Sequence, residues 1–318
     1  MNEKPVMCRT VFGLGRRLLV AMRAGLVLAL LAAVLGGMAC KQEESSDRLT
    51  VVATIFPLAD FVKNVAGDKV DVITLLRPGD SPHTYEPTSR DMKAVARATL
   101  LVVNGAGLDF WVEDLKAAAS DNLVVMDTSA VLAEEGLLLY GDDHDDEGGT
   151  NPHFWLDPVL AQKQVETIAS ALATADPGNK DFYLGNAATY IGGLKSLDEE
   201  IRDTTGEFSI REFISFHASW TYFARRYGLV EAAVIEEAPG KDPTPDEQRR
   251  IIDLARELNV KAIFAEPQFS TKVADAIAKD SGVKVLLLDP IGGPGLAGRD
   301  SYIALMRYNV GQMGKAMK

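Results

Sequence analysis

The strongest constraint on this chain is an alternation of short apolar or β-branched runs with amphipathic stretches, and the alternation occurs twice. Residues 49–53, 70–75, 100–103 and 123–126 read as strands. Apolar residues three and four apart fill 57–66 and 89–98, with Thr88 or Ser89 as the N-cap of the second stretch. A βαβ series needs a parallel sheet covered by helices. A second series begins near residue 211, with strands at 212–216, 230–235, 262–265 and 283–288 and helices at 245–258 and 271–280. The expected class is α/β, with two parallel-sheet βα lobes.

Between the lobes, residues 158–204 lack strand signals and read as two helices broken at Asp176-Pro-Gly. The second runs over about 179–205, which at 1.5 Å per residue is about 40 Å, enough to join both lobes as a stiff connector. Gly192-Gly193 opposes it, since two adjacent glycines cost about 2 kcal/mol of helix propensity. The expected organisation is an N-terminal lobe over 49–178, a connecting helix over 179–205 and a C-terminal lobe over 206–318.

The front end differs from the rest. Lys4, Arg9, Arg16, Arg17 and Arg23 precede an uncharged run from residue 24 to 39. About 16 apolar residues are short for a membrane span, which needs about 20, so 1–39 reads as a signal peptide. Met22-Arg23 with the apolar run is itself a complete signal, so either Met1 or Met22 serves as the start. The Ala39-Cys40 junction resembles a bacterial lipobox, although Gly37 stands where leucine is usual. That resemblance implies a lipidated Cys40 followed by a solvated tether over 40–48; the alternative is a plain secretory signal.

Charge and cysteine content narrow the chemistry. The formal charge is −12, and because the first 39 residues carry +4, the remainder carries −16. Such a surface repels nucleic acid and anionic lipid and favours cations. Two cysteines, Cys8 and Cys40, supply neither a disulfide framework nor a thiolate cluster. A metal site must use histidine and carboxylate.

Four histidines occur, His83, His144, His153 and His217. His83 lies in a turn-rich loop after strand 70–75, His217 directly after strand 212–216, and Asp289 directly after strand 283–288. In open α/β sheets the ligand site lies beyond the carboxyl ends of the strands, so these residues are expected to meet in the interlobe cleft. His153, in Asn-Pro-His-Phe-Trp-Leu-Asp-Pro at 151–158, reaches the same region. Three imidazoles and a carboxylate form a four-coordinate set suited to zinc. His144 sits in an acidic insert over 141–149, which reads as a solvated charge run or a weak accessory cation trap. The first strand runs into Thr-Ile-Phe-Pro without glycine, so no dinucleotide fingerprint is present, and no phosphate loop or serine elbow occurs.

Pro-His-Thr-Tyr-Glu-Pro at 82–87, the 151–158 motif, Ser-Phe-His at 215–217, Phe-Ala-Glu-Pro-Gln-Phe-Ser at 264–270 and Leu-Asp-Pro at 288–290 together resemble the metal-binding lipoproteins of bacterial zinc and manganese ABC importers. The resemblance spans 49–318. It implies two α/β lobes joined by one long helix, one metal ion in the cleft, and His83, His153, His217 and Asp289 as its ligands. It further implies a monomer, lipid-anchored outside the cytoplasmic membrane, that hands its ion to a membrane permease and performs no chemistry. His217 stands where manganese-type members tend to carry glutamate, which favours Zn2+, while the short, histidine-poor insert leaves Mn2+ or Fe2+ open. The rival reading is a secreted zinc hydrolase with Glu86 or Glu266 as base. Adhesion is a possible second role for which the sequence offers no feature.

Overall fold

The computed structural model describes residues 48–140, 149–236 and 240–318. The signal segment, Cys40 and His144 lie outside them.

The first sheet has the order β2-β1-β3-β4, all parallel, from β1 (Leu49–Ala53), β2 (Val70–Thr74), β3 (Leu100–Val103) and β4 (Val124–Asp127). Its crossovers carry α1 (Phe56–Ala66), α2 (Ser89–Val95) and α3 (Val112–Lys116), and α4 (Ala130–Glu134) follows β4. Thr88 and Asp91 close a capping box at the start of α2, satisfying amides that would otherwise lack partners. After α5 (Pro158–Ala175) and α6 (Lys180–Gly206), the second sheet repeats the plan in the order β6-β5-β7-β8. Its strands are β5 (Glu212–Ser215), β6 (Val230–Val234), β7 (Ala262–Ala265) and β8 (Lys284–Leu287), with α7 (Thr221–Tyr227), α8 (Pro245–Glu257) and α9 (Lys272–Ser281) between them.

The connector is one helix of 27 residues, α6, preceded by a 3-10 turn at Pro177–Asn179 where the Asp-Pro-Gly break was expected. Gly192 and Gly193 do not interrupt it. Its buried face, Tyr183, Ala187, Leu194, Leu197 and Ile201, packs into the core, and that burial outweighs the propensity cost. The last helix, α10 (Tyr302–Met317), was not anticipated. Although it follows the second sheet, Tyr302 reaches back to the first lobe, where its amide donates to Asp60 Oδ2 at 3.0 Å and its hydroxyl to the Trp155 carbonyl at 2.7 Å. The principal core is accordingly continuous across both lobes, joining Val51 and Phe61 to Trp220, Phe264 and Met306.

Both sheets end their strands on the same cleft. Trp155 is fully buried and donates Nε1–H to the Pro290 carbonyl, 135 residues away, at 2.8 Å. Asp157 caps α5 by accepting from Val159 N–H and pairs with Arg226 of α7 at 2.8 Å. The 151–158 motif is thus a rivet between lobes as well as a carrier of His153.

Candidate metal site

Three histidines arrive from three elements. His83 sits on a 3-10 turn, Pro82–Thr84, beyond β2, with its amide donating to Ser81 Oγ at 3.3 Å. His153 heads the turn Phe154–Leu156, and His217 follows β5. Their Nε2 atoms converge, His83 to His153 at 3.1 Å and His217 to His153 at 3.2 Å. All three ligand nitrogens lie within 4.8 Å of one another. Nitrogens sharing one tetrahedral ion at bonds of about 2.0–2.1 Å stand roughly 3.3 Å apart, so the spacing suits ligands around a single ion.

The ring orientations are held from behind. Asn151 commits its amide nitrogen to the Ala218 carbonyl at 2.8 Å, so its Oδ1 must be the acceptor facing His153 Nδ1 at 2.9 Å. His153 therefore protonates at Nδ1 and presents the Nε2 lone pair to the cleft. His217 Nδ1 faces the Glu266 carboxylate, with Oε1 at the ion-pair distance of 2.9 Å. Glu266 is itself buried and accepts from Ser219 Oγ at 3.0 Å. Both arrangements are the outer contacts that fix an imidazole as a metal ligand.

Burial sets the protonation states. It pushes His83 down to about 3, helped by the neighbouring His217, and holds His153 well below the ordinary histidine value. For His217 burial alone also lowers the value, but the carboxylates of Glu266, Glu231 and Glu236 together overcome it and raise the net result. Two imidazoles are thus kept neutral, while the third binds a proton more readily than an ordinary histidine.

The cavity between them has a volume of about 10 Å³, lined by the three histidines with Ser81, Trp155, Phe269 and Ile291 among others. That is room for one ion or one water. Phe269 stacks on Phe216 with ring centres 5.0 Å apart and lies edge-on to His217 at 5.3 Å, so the wall on that side is rigid and apolar. A larger groove of about 810 Å³ lies at the opposite end of the second sheet, around Lys261 and Lys284, and its lining holds neither imidazole nor carboxylate.

Asp289 is not brought into this cluster. It stands beyond β8 as expected, but its carboxylate is taken by other donors: Arg299 Nη1 at 2.8 Å on Oδ2, and Ile291 N–H, Gly292 N–H and Gln268 Nε2 on Oδ1. The strand-end argument locates a residue to within a turn and carries no information about which donors compete for its side chain. Glu86 is exposed. Glu266 is among the residues lining the cavity, and its Oε1 is turned to the Nδ1 side of His217.

Two contributors escaped sequence reading. Asn151 lies within the recognised motif, and its position two residues before His153, suited to an Asx turn, was the available signal. Arg299 lies in a glycine-rich loop with no periodicity, and nothing local marks it.

A model of the family described as "ZnuA: Zinc-uptake complex component A periplasmic" matches residues 51–316. The high-affinity zinc uptake system protein ZnuA of Bacillus subtilis (strain 168) is 32% identical over 297 residues, covering 88% of this chain and 92% of that protein. The manganese ABC transporter substrate-binding lipoprotein PsaA of Streptococcus pneumoniae is 30% identical over 306 residues, covering 92% and 97%. A solved structure described as "Crystal structure of ZnuA" superposes with a TM-score of 0.76 at 34% identity, covering 85% of this chain and 99% of that one.

Proposed function

Because the chain belongs to the family of periplasmic zinc-uptake component A proteins, we propose that it is an extracytoplasmic binding protein that captures Zn2+ and delivers it to the permease of an ABC importer. The observation that carries this reading is the convergence of three Nε2 atoms at 3.1 and 3.2 Å, two of them with Nδ1 held by Asn151 and Glu266. His83, His153 and His217 are the proposed ligands of the cargo ion. A cation entering here meets two neutral imidazoles and competes with a proton for the third. The ion is cargo and undergoes no reaction. The cargo reading is supported over the hydrolase reading by the family model and relatives that match the chain, which are named as zinc-uptake and manganese-transport proteins.

Zinc is the proposed cargo because imidazole suits it, whereas manganese prefers carboxylate and carbonyl oxygen. Manganese is the second reading, favoured by the likeness to a manganese-binding lipoprotein, and iron(II) is a third. The working organisation is a lobe at 49–178, a connecting helix at 179–205 and a lobe at 206–318, acting as a monomer held to the envelope by a lipid on Cys40. His144 is proposed as no more than an accessory site.

The test is metal competition. Replacement of His83, His153 or His217 by alanine should each remove most zinc affinity in titrations against a chelator, and unchanged affinity in all three would refute the site. Mass spectrometry of the mature N-terminus decides the anchor, since an unmodified terminus would mean a freely secreted protein.

A further inference from the structure

The side chain of Asp289 is held with unusual completeness for a residue beside a cation site. It is buried, at 1% exposure, with three donors on Oδ1 and the Arg299 guanidinium on Oδ2. Three donors fill Oδ1, and the other oxygen, Oδ2, is paired with the Arg299 guanidinium, whose positive charge opposes a metal ion there. The backbone is pinned as well: Asn309 Oδ1 accepts from Asp289 N–H at 2.8 Å, and Asn309 Nδ2 donates to the Asp289 carbonyl at 2.7 Å.

Arg299 is equally fixed. Its carbonyl accepts from Gly293 N–H at 3.0 Å, its amide donates to the Leu296 carbonyl at 2.9 Å, and its guanidinium lies over the Tyr308 ring at 5.1 Å. Gly292 has φ of +69°, and a Cβ there would stand 2.7 Å from the Arg299 carbonyl, so the loop closes this tightly only with glycine. Gln268, which lines the cavity, donates its Nε2 to Asp289, while its Oε1 is buried without a hydrogen-bond partner.

We propose that Arg299 sets the metal selectivity of the site: by holding the Asp289 carboxylate out of the histidine cluster it leaves an imidazole-dominated donor set that favours zinc over manganese. The proposal rests on the cargo-binding reading above. The harder, larger ion gains most from an added carboxylate and a higher coordination number, whereas zinc is satisfied by three imidazoles and one further small ligand. Arg299 is a positioning residue, acting through Asp289 and not touching the ion.

The experiment measures Zn2+ and Mn2+ affinities of the full chain by chelator competition. In Arg299→Gln the freed carboxylate should raise manganese affinity relative to zinc by about tenfold or more, the effect of one added hard ligand at a buried cation. Arg299→Lys, which keeps the charge, should stay near the wild-type ratio. Arg299→Gln combined with Asp289→Asn should return to it. A ratio within about threefold of wild type in a folded Arg299→Gln protein would overturn the proposal. Should that variant not fold, Asp289→Asn alone decides. Zinc affinity within about threefold of wild type supports Asp289 lying outside the coordination shell, and a larger loss makes it a ligand and refutes the latch. Failure of the cargo reading is distinguished by His217→Ala, which would then retain zinc whatever the ratio.

Discussion

Glu266→Gln isolates the electrostatic support of the site while preserving its shape. The carboxylate stands 2.9 Å from His217 Nδ1 and is 1% exposed, so its charge acts through one imidazole on the ion beyond. At an effective dielectric of about 20 and a separation of roughly 7 Å, a single negative charge attracts a divalent ion by about 5 kcal/mol. Replacement of such outer partners in metal sites costs about 10–100-fold in affinity, or about 1.4–2.7 kcal/mol, because the neutral substitute still orients the ring. Glutamine retains an Oε1 for the Nδ1–H and for Ser219, so the ring should stay in place and the loss should be electrostatic. At pH 8, zinc affinity should therefore fall within that range. Glu266 also raises the proton affinity of His217, so removing its charge eases proton competition. The deficit should consequently shrink as pH falls toward 6. Zinc competition titrations at pH 6, 7 and 8, with metal-free thermal unfolding as the folding control, measure both effects. Unchanged affinity at pH 8, or a deficit constant across pH, would refute the reasoning.

Asp157→Ala should destabilise the metal-free protein by about 2 kcal/mol in urea unfolding, because it leaves the partly exposed Arg226 guanidinium without its partner and removes the α5 cap. A loss under about 1 kcal/mol would show that the pair does not join the lobes energetically. Asp109 is pushed up to about 6 by burial, against 3.8 ordinarily, so the folded state keeps a proton that the unfolded chain has lost. Its contribution to stability thus falls as pH rises from about 4 to 7, by about 2–3 kcal/mol, and Asp109→Asn should gain that much on wild type over the same interval. A difference independent of pH would contradict it. Zinc affinity should fall about tenfold per pH unit below the raised His217 value and not a thousandfold, because His83 and His153 are already neutral there. A slope near three protons would contradict that. Zinc should also raise thermal stability with little change in small-angle scattering, since one core already spans both lobes.

Sequence alone determined the layered architecture. Strand positions, the parallel order implied by crossover helices, the long connector and the break before it all follow from period and turn chemistry, which act over a few residues. His83 and His217 were legible for the same reason, since a residue beyond a parallel strand emerges at the carboxyl edge, whereas His153 follows no strand and was legible only through its motif. Asn151 and Glu266 were half-legible, placed by motif or strand end but without their roles. Tertiary structure alone decided the fate of Asp289, because competition among Arg299, Gln268 and two backbone amides depends on distances of a few tenths of an ångström across a loop with no repeating pattern. It likewise decided that α10 returns to the first lobe, where Tyr302 meets Asp60 across 242 residues of sequence. Local pattern specifies which face of an element is apolar; which partner covers that face, and which donor claims a buried carboxylate, is settled only when the whole chain packs.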